Sequence, residues 1–248
     1  MDVAGRTDVG QSRTQNQDTI FISSEPVGPL PNLFIVADGM GGHNAGEVAS
    51  SQAVSLVMDY ISNFQVAELV LSDNYLDLLV TAVQEANTAV YFMSEDDSEM
   101  HGMGTTFTAC VITDDRVLIA HVGDSRAYAV SPLGISQLTA DHTYVEQMVQ
   151  AGQLTAEEAR NHPKRHMITR VIGMQGLLEV DGLVFAKEDV SAILLCSDGL
   201  SNMLDDRILL EIINNQEPAE SRIETLVEEA NLRGGHDNIS AILIDVMR

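Results

Sequence analysis

The stretch NLFIVADGMGGHNAGE, residues 32–47, carries the strongest expectation about the fold. Its first half is an unbroken apolar run, which is typical of a strand buried on both faces. The run ends at Asp38, and a glycine-rich turn follows at once. Asp-Gly is common turn chemistry, so the stretch fits a tight turn. It also fits a metal site, in which a carboxylate and a bare backbone carbonyl approach one ion, and the rest of the chain has to distinguish the two.

The overall composition predicts a folded and strongly acidic protein. Hydrophobic residues make up 45% of the 248 residues, and charged residues make up 20%, too few for a disordered chain. With 37 acidic against 13 basic residues, the formal net charge is −24. Such a field repels nucleic acid and anionic lipid, and it attracts divalent cations and basic peptides. We therefore expect no nucleic-acid partner.

Cysteine usage and hydropathy predict a cytoplasmic protein. Cys110 and Cys196 both lie in apolar runs and lack the spacing of a disulfide framework. The first ten residues are neither basic nor a long apolar signal, and no apolar run approaches the length of a membrane span. We expect no membrane insertion.

Strand and helix patterns occur in blocks rather than in strict alternation, which favours an α+β class. Strands are predicted at residues 19–23, 32–38, 190–199 and 238–247, and four short runs within 106–139 predict an antiparallel meander. Helices are predicted at residues 45–64, 75–94, 142–152, 154–163, 205–214 and 219–232. Asn44 is the expected N-cap of the first helix, and Thr155 with Glu158 forms a capping box. No linker interrupts the chain, so residues 1–248 are expected to form one domain.

Acidic residues recur where the apolar strands end or begin. These residues are Asp18, Asp38, Asp124, Asp198 and Asp237, two of them followed by glycine. If the strands pack side by side, the carboxylates gather at one edge, where they would repel one another without cations. Ligation by oxygen alone favours Mg²⁺ or Mn²⁺. The turn interpretation suffices for any single Asp-Gly pair, but it is weak for the set.

With these motifs in order, the chain resembles the metal-dependent Ser/Thr protein phosphatases of the 2C type, in their small bacterial form. The resemblance runs along nearly the whole chain. It rests on SRTQNQD, VADGMGGHNAGEVAS, GMGTT, AHVGDSRAY, the long segment from ADHTYVEQ to TRVIG, LLCSDGL and RGGHDNIS. The resemblance implies two packed antiparallel sheets with helices on both outer faces, an α-β-β-α sandwich.

The resemblance also implies which residues hold the ions, two or three per chain. Asp38 would bridge two of them, and the Gly39 carbonyl would add a backbone ligand, which is an answer to the question raised by the first stretch. Asp198 and Asp237 would complete the first ion, and Asp124 would hold a third. Water activated by the ions would attack phosphorus directly, with no phosphoenzyme.

Three further residues take roles by the same resemblance. Asp18 would orient water on the metals. Arg13 would bind the phosphate, since a guanidinium grips two phosphoryl oxygens at once. His43 would be the general acid that protonates the leaving oxygen. Gln17 stands where animal relatives carry glutamate, which implies weaker binding of the second ion.

Residues 141–173 correspond to the flap of the family, a segment beside the active site. We call these residues the flap segment. They include the basic cluster Lys164–His166, for which a peptide-seating role and a plain salt-bridged surface are equally consistent with the sequence.

The implied function is hydrolysis of phosphoserine and phosphothreonine in proteins, opposing a Ser/Thr kinase, by a monomer. Two alternatives remain. One is a phosphatase dedicated to a single regulatory protein, of the anti-sigma antagonist type, and the other is a non-catalytic pseudophosphatase that binds phosphoproteins. A cysteine phosphatase is disfavoured: Cys110 and Arg116 form a bare Cys-x5-Arg, but the intervening VITDD has no glycine and carries two acids.

The role of His43 predicts a difference between substrates. A serine or threonine alkoxide leaves poorly without a proton, and a positioned acid contributes about 10²–10⁴-fold to such a step. His43→Gln is therefore expected to slow phosphothreonine peptides far more than p-nitrophenyl phosphate, whose leaving group needs no acid. Steady-state kinetics on both substrates measures this. Equal slowing of the two would mean that His43 supports the geometry of the site and is not the acid.

Overall fold

In the computed structural model, which describes residues 1–42, 45–64 and 75–246, two antiparallel sheets pack face to face between outer layers of helices. This four-layer arrangement confirms the α+β class and the predicted sandwich. His43 and Asn44, to which the sequence assigned an acid and an N-cap, lie outside the described residues.

Each sheet is built from neighbours that run antiparallel. The first sheet has the order β1 (Asp2–Asp8), β11 (Ile239–Asp245), β10 (Ala192–Cys196), β7 (Arg126–Ser131) and β8 (Gly134–Gln137). The second has the order β2 (Asp18–Ser23), β3 (Leu33–Met40), β5 (Phe107–Ile112), β6 (Arg116–Val122) and β9 (Asp181–Ala186). The short β4 (Gly104–Thr105) pairs with the end of β3.

Strand β3 shows why its sequence is apolar without interruption. Leu33, Ile35 and Ala37 face the helices, whereas Phe34 and Val36 face the core between the sheets. Because successive side chains of a strand point to opposite faces, a strand covered on both faces needs apolar residues at every position. The predicted fully buried strand is therefore confirmed.

Helices cover the two outer faces. The helices α1 (Ala45–Asn63) and α2 (Tyr75–Asp96) pack on the second sheet, and α5 (Asp198–Ser201), α6 (Asp206–Ile213) and α7 (Ala219–Leu232) on the first. The flap segment contains α3 (Tyr144–Gln150) and α4 (Ala156–Arg160). The predicted capping box of α4 at Thr155 and Glu158 is present. No helix in the described part of the chain is long and apolar enough to cross a membrane.

The prediction of one meander across residues 106–139 was wrong. Strands β5 and β6 pair within the second sheet, whereas β7 and β8 belong to the first. The chain crosses between the sheets at residues 123–125. Gly123 has a φ of +111°, and a Cβ there would lie 2.6 Å from the Thr106 side chain. Alternating apolar residues report burial, but they do not report which of two sheets a strand joins.

Two edge strands were not predicted from the sequence. β1, with the sequence DVAGRTD, buries only Ala4, and β9 alternates between half-buried and exposed residues. Neither carries enough apolar residues to stand out in sequence. Backbone pairing with β11 and β6, rather than apolar composition, makes these two segments strands.

A buried ion pair links α7 to β11 and gives a stability prediction. Arg222 pairs with Asp245, both almost fully buried, and also donates to the Ile213 carbonyl at 2.8 Å. Replacing Arg222 with Leu leaves a buried carboxylate without its cation, which costs about 3–5 kcal/mol. The matched control is Arg6→Leu. Arg6 pairs with Glu224 at 2.7 Å on the surface, where such pairs contribute about 0–1 kcal/mol. Urea unfolding measures both losses, and losses of equal size would contradict the prediction.

Candidate metal centre

Four of the predicted ligands come from both sheets and gather at one end of the sandwich. Asp38 lies near the end of β3, Asp198 follows β10 by two residues, Asp237 precedes β11, and Asp124 lies where the chain crosses between the sheets. The negative charge of each of the other three contributes to raising the pKa of Asp38. The structure thus brings together the aspartates that the sequence grouped.

Asp18 joins the two sheets behind these ligands. In the register of β2 with β3 it lies directly opposite Asp38. Its Oδ2 accepts a hydrogen bond from the Ser197 hydroxyl at 2.9 Å, and the Ser197 oxygen in turn accepts from the Ser240 backbone N–H at 2.9 Å. A residue of the second sheet is thereby fixed to two strand ends of the first. This placement suits a side chain that orients water bound to metal ions at the other aspartates.

Backbone bonds fix the position of Asp38. Its N–H donates to the Thr106 hydroxyl at 2.9 Å, and its carbonyl accepts from the Thr106 N–H and the Thr105 hydroxyl, both at 2.9 Å. Thr105 and Thr106 belong to the GMGTT motif. The motif therefore holds the main chain of the ligand strand.

The glycines after Asp38 and Asp198 have a steric reason that sequence reasoning did not identify. A Cβ on Gly39 would lie 2.0 Å from the Gly46 carbonyl oxygen and 2.5 Å from that of Gln17. A Cβ on Gly199 would lie 2.0 Å from the Asn238 carbonyl oxygen. Only glycine fits at either place, since the backbones of two elements meet there. The Asp-Gly pairs are needed for this close packing, whether or not the Gly39 carbonyl binds a metal ion.

Burial dominates the electrostatics of the cluster. Burial, with a smaller contribution from the charge of Asp198, raises the pKa of Asp18 to about 7 and that of Asp124 to about 8. Burial and the neighbouring carboxylates also raise the pKa of Asp38 and of Asp198. Four carboxyl groups are therefore poised to bind either protons or cations.

The oxygen atoms present fit a hard divalent cation. Asp18 Oδ1 and Asp124 Oδ1 are buried and have no hydrogen-bond partner, which is costly unless another group, such as a cation or ordered water, completes them. Within the described residues, no three His, Cys, Asp or Glu side chains form a group able to hold an ion by themselves. An ion here would need water or backbone carbonyls as further ligands. Mg²⁺ and similar ions commonly keep several waters.

Arg13 lies at the edge of the same cluster. Its Nη2 donates to Asp237 Oδ2 at 2.8 Å, and about half of its side chain is exposed. The hydrogen bond to Asp237 raises the pKa of Arg13, and the charges of Asp38 and Asp198 contribute. The guanidinium is thus within the field of the ligands, as a phosphate-binding group would need to be.

Asn238 is a residue whose importance the sequence did not reveal. Its side-chain amide donates to the carbonyls of Val9 and Gln15, both at 2.9 Å, and its oxygen accepts from the Gln17 N–H at 2.8 Å. It therefore holds the loop that carries Arg13 against the start of β11. The only sequence signal was its place beside Asp237.

A histidine and the two cysteines lie in buried, structural positions. His121 is fully buried, with Nδ1 3.0 Å from the Thr108 hydroxyl and Nε2 3.1 Å from the Ala140 carbonyl oxygen. Cys110 and Cys196 are buried and free, and burial raises the pKa of each thiol to about 12. Neither thiol is suited to nucleophilic attack.

Comparison with known proteins identifies relatives along the whole chain. The family model described as Protein phosphatase 2C matches residues 8–242. The serine/threonine phosphatase stp of Listeria monocytogenes is 36% identical over 242 residues, which cover 97% of this chain and 94% of the relative. The protein phosphatase PhpP of Streptococcus pneumoniae is 35% identical over 247 residues, covering 99% and 98%.

Solved structures with the same fold extend the comparison. The serine/threonine phosphatase Stp1 from Staphylococcus aureus superposes with a TM-score of 0.92 at 31% identity, covering 100% of this chain and 96% of that one. The catalytic domain of the serine threonine protein phosphatase PstP, solved in complex with two manganese ions, superposes with a TM-score of 0.82 at 30% identity. The shared part covers 98% of this chain and 96% of PstP.

The raised pKa values predict how pH affects the metal-free protein. Asp18 and Asp124 have native pKa values of about 7 and about 8 against 3.8 for the free side chain. The native state therefore holds protons that the unfolded state has released, so the contribution of these groups to stability falls as pH rises from about 4 to about 8. In EDTA, thermal unfolding is expected at a higher temperature at pH 6 than at pH 8. Mn²⁺ should remove most of this difference, because the cation takes the place of the protons.

The variant Asp124→Asn tests the same point. It removes a buried charge, so in EDTA at pH 8 its Tm is expected to exceed that of the wild type by a few degrees, since about 1 kcal/mol corresponds to about 2–4 °C at this size. A lower Tm for this variant in EDTA would contradict the prediction.

Proposed function

Because the chain belongs to the protein phosphatase 2C family of serine/threonine phosphatases, we propose that it hydrolyses phosphoserine and phosphothreonine in proteins at a centre of two or three Mg²⁺ or Mn²⁺ ions. The observation that carries the proposal is the cluster of buried aspartates from both sheets, two of which have partnerless oxygens. The manganese ions of the related PstP structure support the choice of metal.

The proposed ligands are the groups at the strand ends. Asp38, the Gly39 carbonyl, Asp198 and Asp237 would hold the two central ions, and Asp124 with Asp198 would hold a further ion. When bound, these ions lower the pKa of water so that it attacks phosphorus at neutral pH. Asp18 would accept a hydrogen bond from such a water through its buried Oδ1, since its Oδ2 is occupied by Ser197.

Arg13 would bind the phosphoryl group of the substrate. Without substrate it pairs with Asp237, and this pair is exposed enough to open at little cost. A phosphate offers the guanidinium two oxygens in a bidentate geometry, whereas Asp237 would also have to bind a metal ion. Binding of substrate would therefore turn the Arg13 side chain away from Asp237 and toward the phosphoryl oxygens. His43 is proposed to donate a proton to the leaving oxygen, as its position in the motif implies.

The substrates would be phosphoproteins made by a Ser/Thr kinase. The net charge of −24 favours substrates with basic residues near the phosphate, because the surrounding field attracts positive segments. Two buried, unpaired thiols support a reducing location such as the cytoplasm. Residues 1–248 would act as one catalytic domain.

Turnover of a phosphothreonine peptide in Mn²⁺ tests the proposed function. Asp38→Asn is expected to lower kcat by more than about 100-fold, since even partners outside the ligand set cost 10–100-fold. EDTA should abolish turnover reversibly. The control is Asp59→Asn, an exposed aspartate of α1, which should retain wild-type kinetics. Full turnover by metal-stripped protein in excess EDTA would refute a metal-dependent mechanism.

A further inference from the structure

The two ends of the flap segment meet at the turn that carries Asp124. At the first end, the His142 N–H donates to the Gly123 carbonyl at 2.7 Å. At the second end, the Thr169 N–H donates to the His142 carbonyl at 2.7 Å. His142 is only 6% exposed, so its backbone ties both ends to this turn in the interior.

The His142 side chain makes a second set of contacts at the same place. Its Nδ1 lies 3.1 Å from the Gly123 nitrogen, whose N–H points to it. A backbone N–H is only a donor, so Nδ1 accepts and the ring proton is on Nε2. Nε2 then donates to Asp181 Oδ2 at 3.2 Å. The ring thus spans from the residue before Asp124 to the first residue of β9.

Arg170 completes the link to the second end of the flap segment. Its Nη1 donates to Asp181 Oδ1 at 2.9 Å, so the carboxylate of Asp181 receives one bond from the ring and one from the guanidinium. Two residues further on, Ile172 exchanges backbone hydrogen bonds with Thr105, at 2.8 and 3.1 Å. Thr105 is one of the residues that hold the Asp38 carbonyl.

A second buried imidazole supports the first. The rings of His121 and His142 lie with centroids 4.8 Å apart, and His121 Nε2 donates to the Ala140 carbonyl just before the flap segment. Burial lowers the pKa of both histidines, that of His121 to about 4. Both rings are therefore neutral near pH 7, as the tautomers deduced from their hydrogen bonds require.

We propose that His142 is a positioning residue, which fixes the Asp124 turn to both ends of the flap segment. Its Nδ1 accepts from the turn, and its Nε2–H donates to Asp181, which also binds Arg170. The inference rests on the proposed function in one respect, that Asp124 is a metal ligand. Misplacing the turn would then weaken the ion at Asp124 while leaving the ligands on β3 and β10 in position.

Two near-isosteric substitutions separate the two halves of the ring. His142→Asn keeps an acceptor near the position of Nδ1 but loses the donor to Asp181. His142→Gln keeps a donor near the position of Nε2 but loses the acceptor for Gly123. The control is His162→Asn, a histidine of the flap segment whose Nδ1 accepts only from the nearby Lys164 N–H among the bonds described.

Amide hydrogen exchange in EDTA tests the positioning role without any metal. The Gln variant is expected to speed exchange at Gly123 by about tenfold, the effect of losing about one hydrogen bond. The Asn variant is expected to leave Gly123 within about twofold of the wild type and to speed exchange at residues 169–172 instead. Wild-type exchange at Gly123 in the Gln variant, or equal effects of Asn and Gln at both places, would overturn the proposal.

Manganese titration tests the consequence for the site. The Gln variant is expected to need about 10–100-fold more Mn²⁺ for half-maximal turnover of p-nitrophenyl phosphate, with KM for this substrate unchanged. The Asn variant should stay close to the wild type, and His162→Asn should match it. If Asp124→Asn itself leaves the Mn²⁺ requirement unchanged, the proposed ligand role of Asp124 is wrong, and the exchange rates in EDTA alone decide the role of His142. A wild-type Mn²⁺ requirement in the Gln variant, alongside a raised one in Asp124→Asn, would refute the link to the metal.

Discussion

Repulsion among carboxylates that have been taken out of water is the constraint on which the rest of this structure depends. Asp18, Asp38, Asp124 and Asp198 all have raised pKa values, and burial is the largest cause for each. Such a cluster would separate or fill with water if its members lay on mobile loops. The fold prevents this because each carboxylate is attached to a strand end or to a turn whose backbone is hydrogen-bonded to a neighbouring element. The unfavourable free energy of burying these carboxylates is offset by the folding of the sandwich as a whole.

Backbone packing, more than side-chain packing, sets the spacing of the cluster. Gly39 and Gly199 bring the chain within contact of carbonyls from α1 and from the residues before β11. The hydroxyls of Thr105, Thr106 and Ser197 then satisfy backbone groups or Asp18 at these contacts. Small residues and hydroxyls therefore allow neighbouring elements to pack closely around the aspartates. Large apolar residues fill the core between the two sheets.

Most of the elements and the grouping of the aspartates could be predicted from the sequence for the same reason. Strands such as β3 and β10 are apolar at every position because both faces are covered, and an aspartate that ends such a strand stands out. The edge strands β1 and β9 do not stand out, since one face or one edge of each meets solvent. The sheet to which a strand belongs depends on contacts far apart in the chain, which explains the error over the meander. His142 and Asn238 were missed because their partners are backbone groups or a side chain distant in sequence, and neither kind of partner leaves a local sequence pattern.

The position of Asp124 explains why a buried histidine cluster lies behind it. Asp38 lies on β3 and Asp198 follows β10 by two residues, whereas Asp124 lies on the crossing between the sheets, where neither ladder continues. A carboxylate on a crossing turn needs support from outside the sheets, and here the support comes from His142 and the ends of the flap segment. The same bonds that keep Asp124 in place therefore also decide where the flap segment begins and ends. Because the ends of the flap segment are hydrogen-bonded to the turn that carries Asp124, a displacement of these ends would act on Asp124 more directly than on Asp38, which lies within β3.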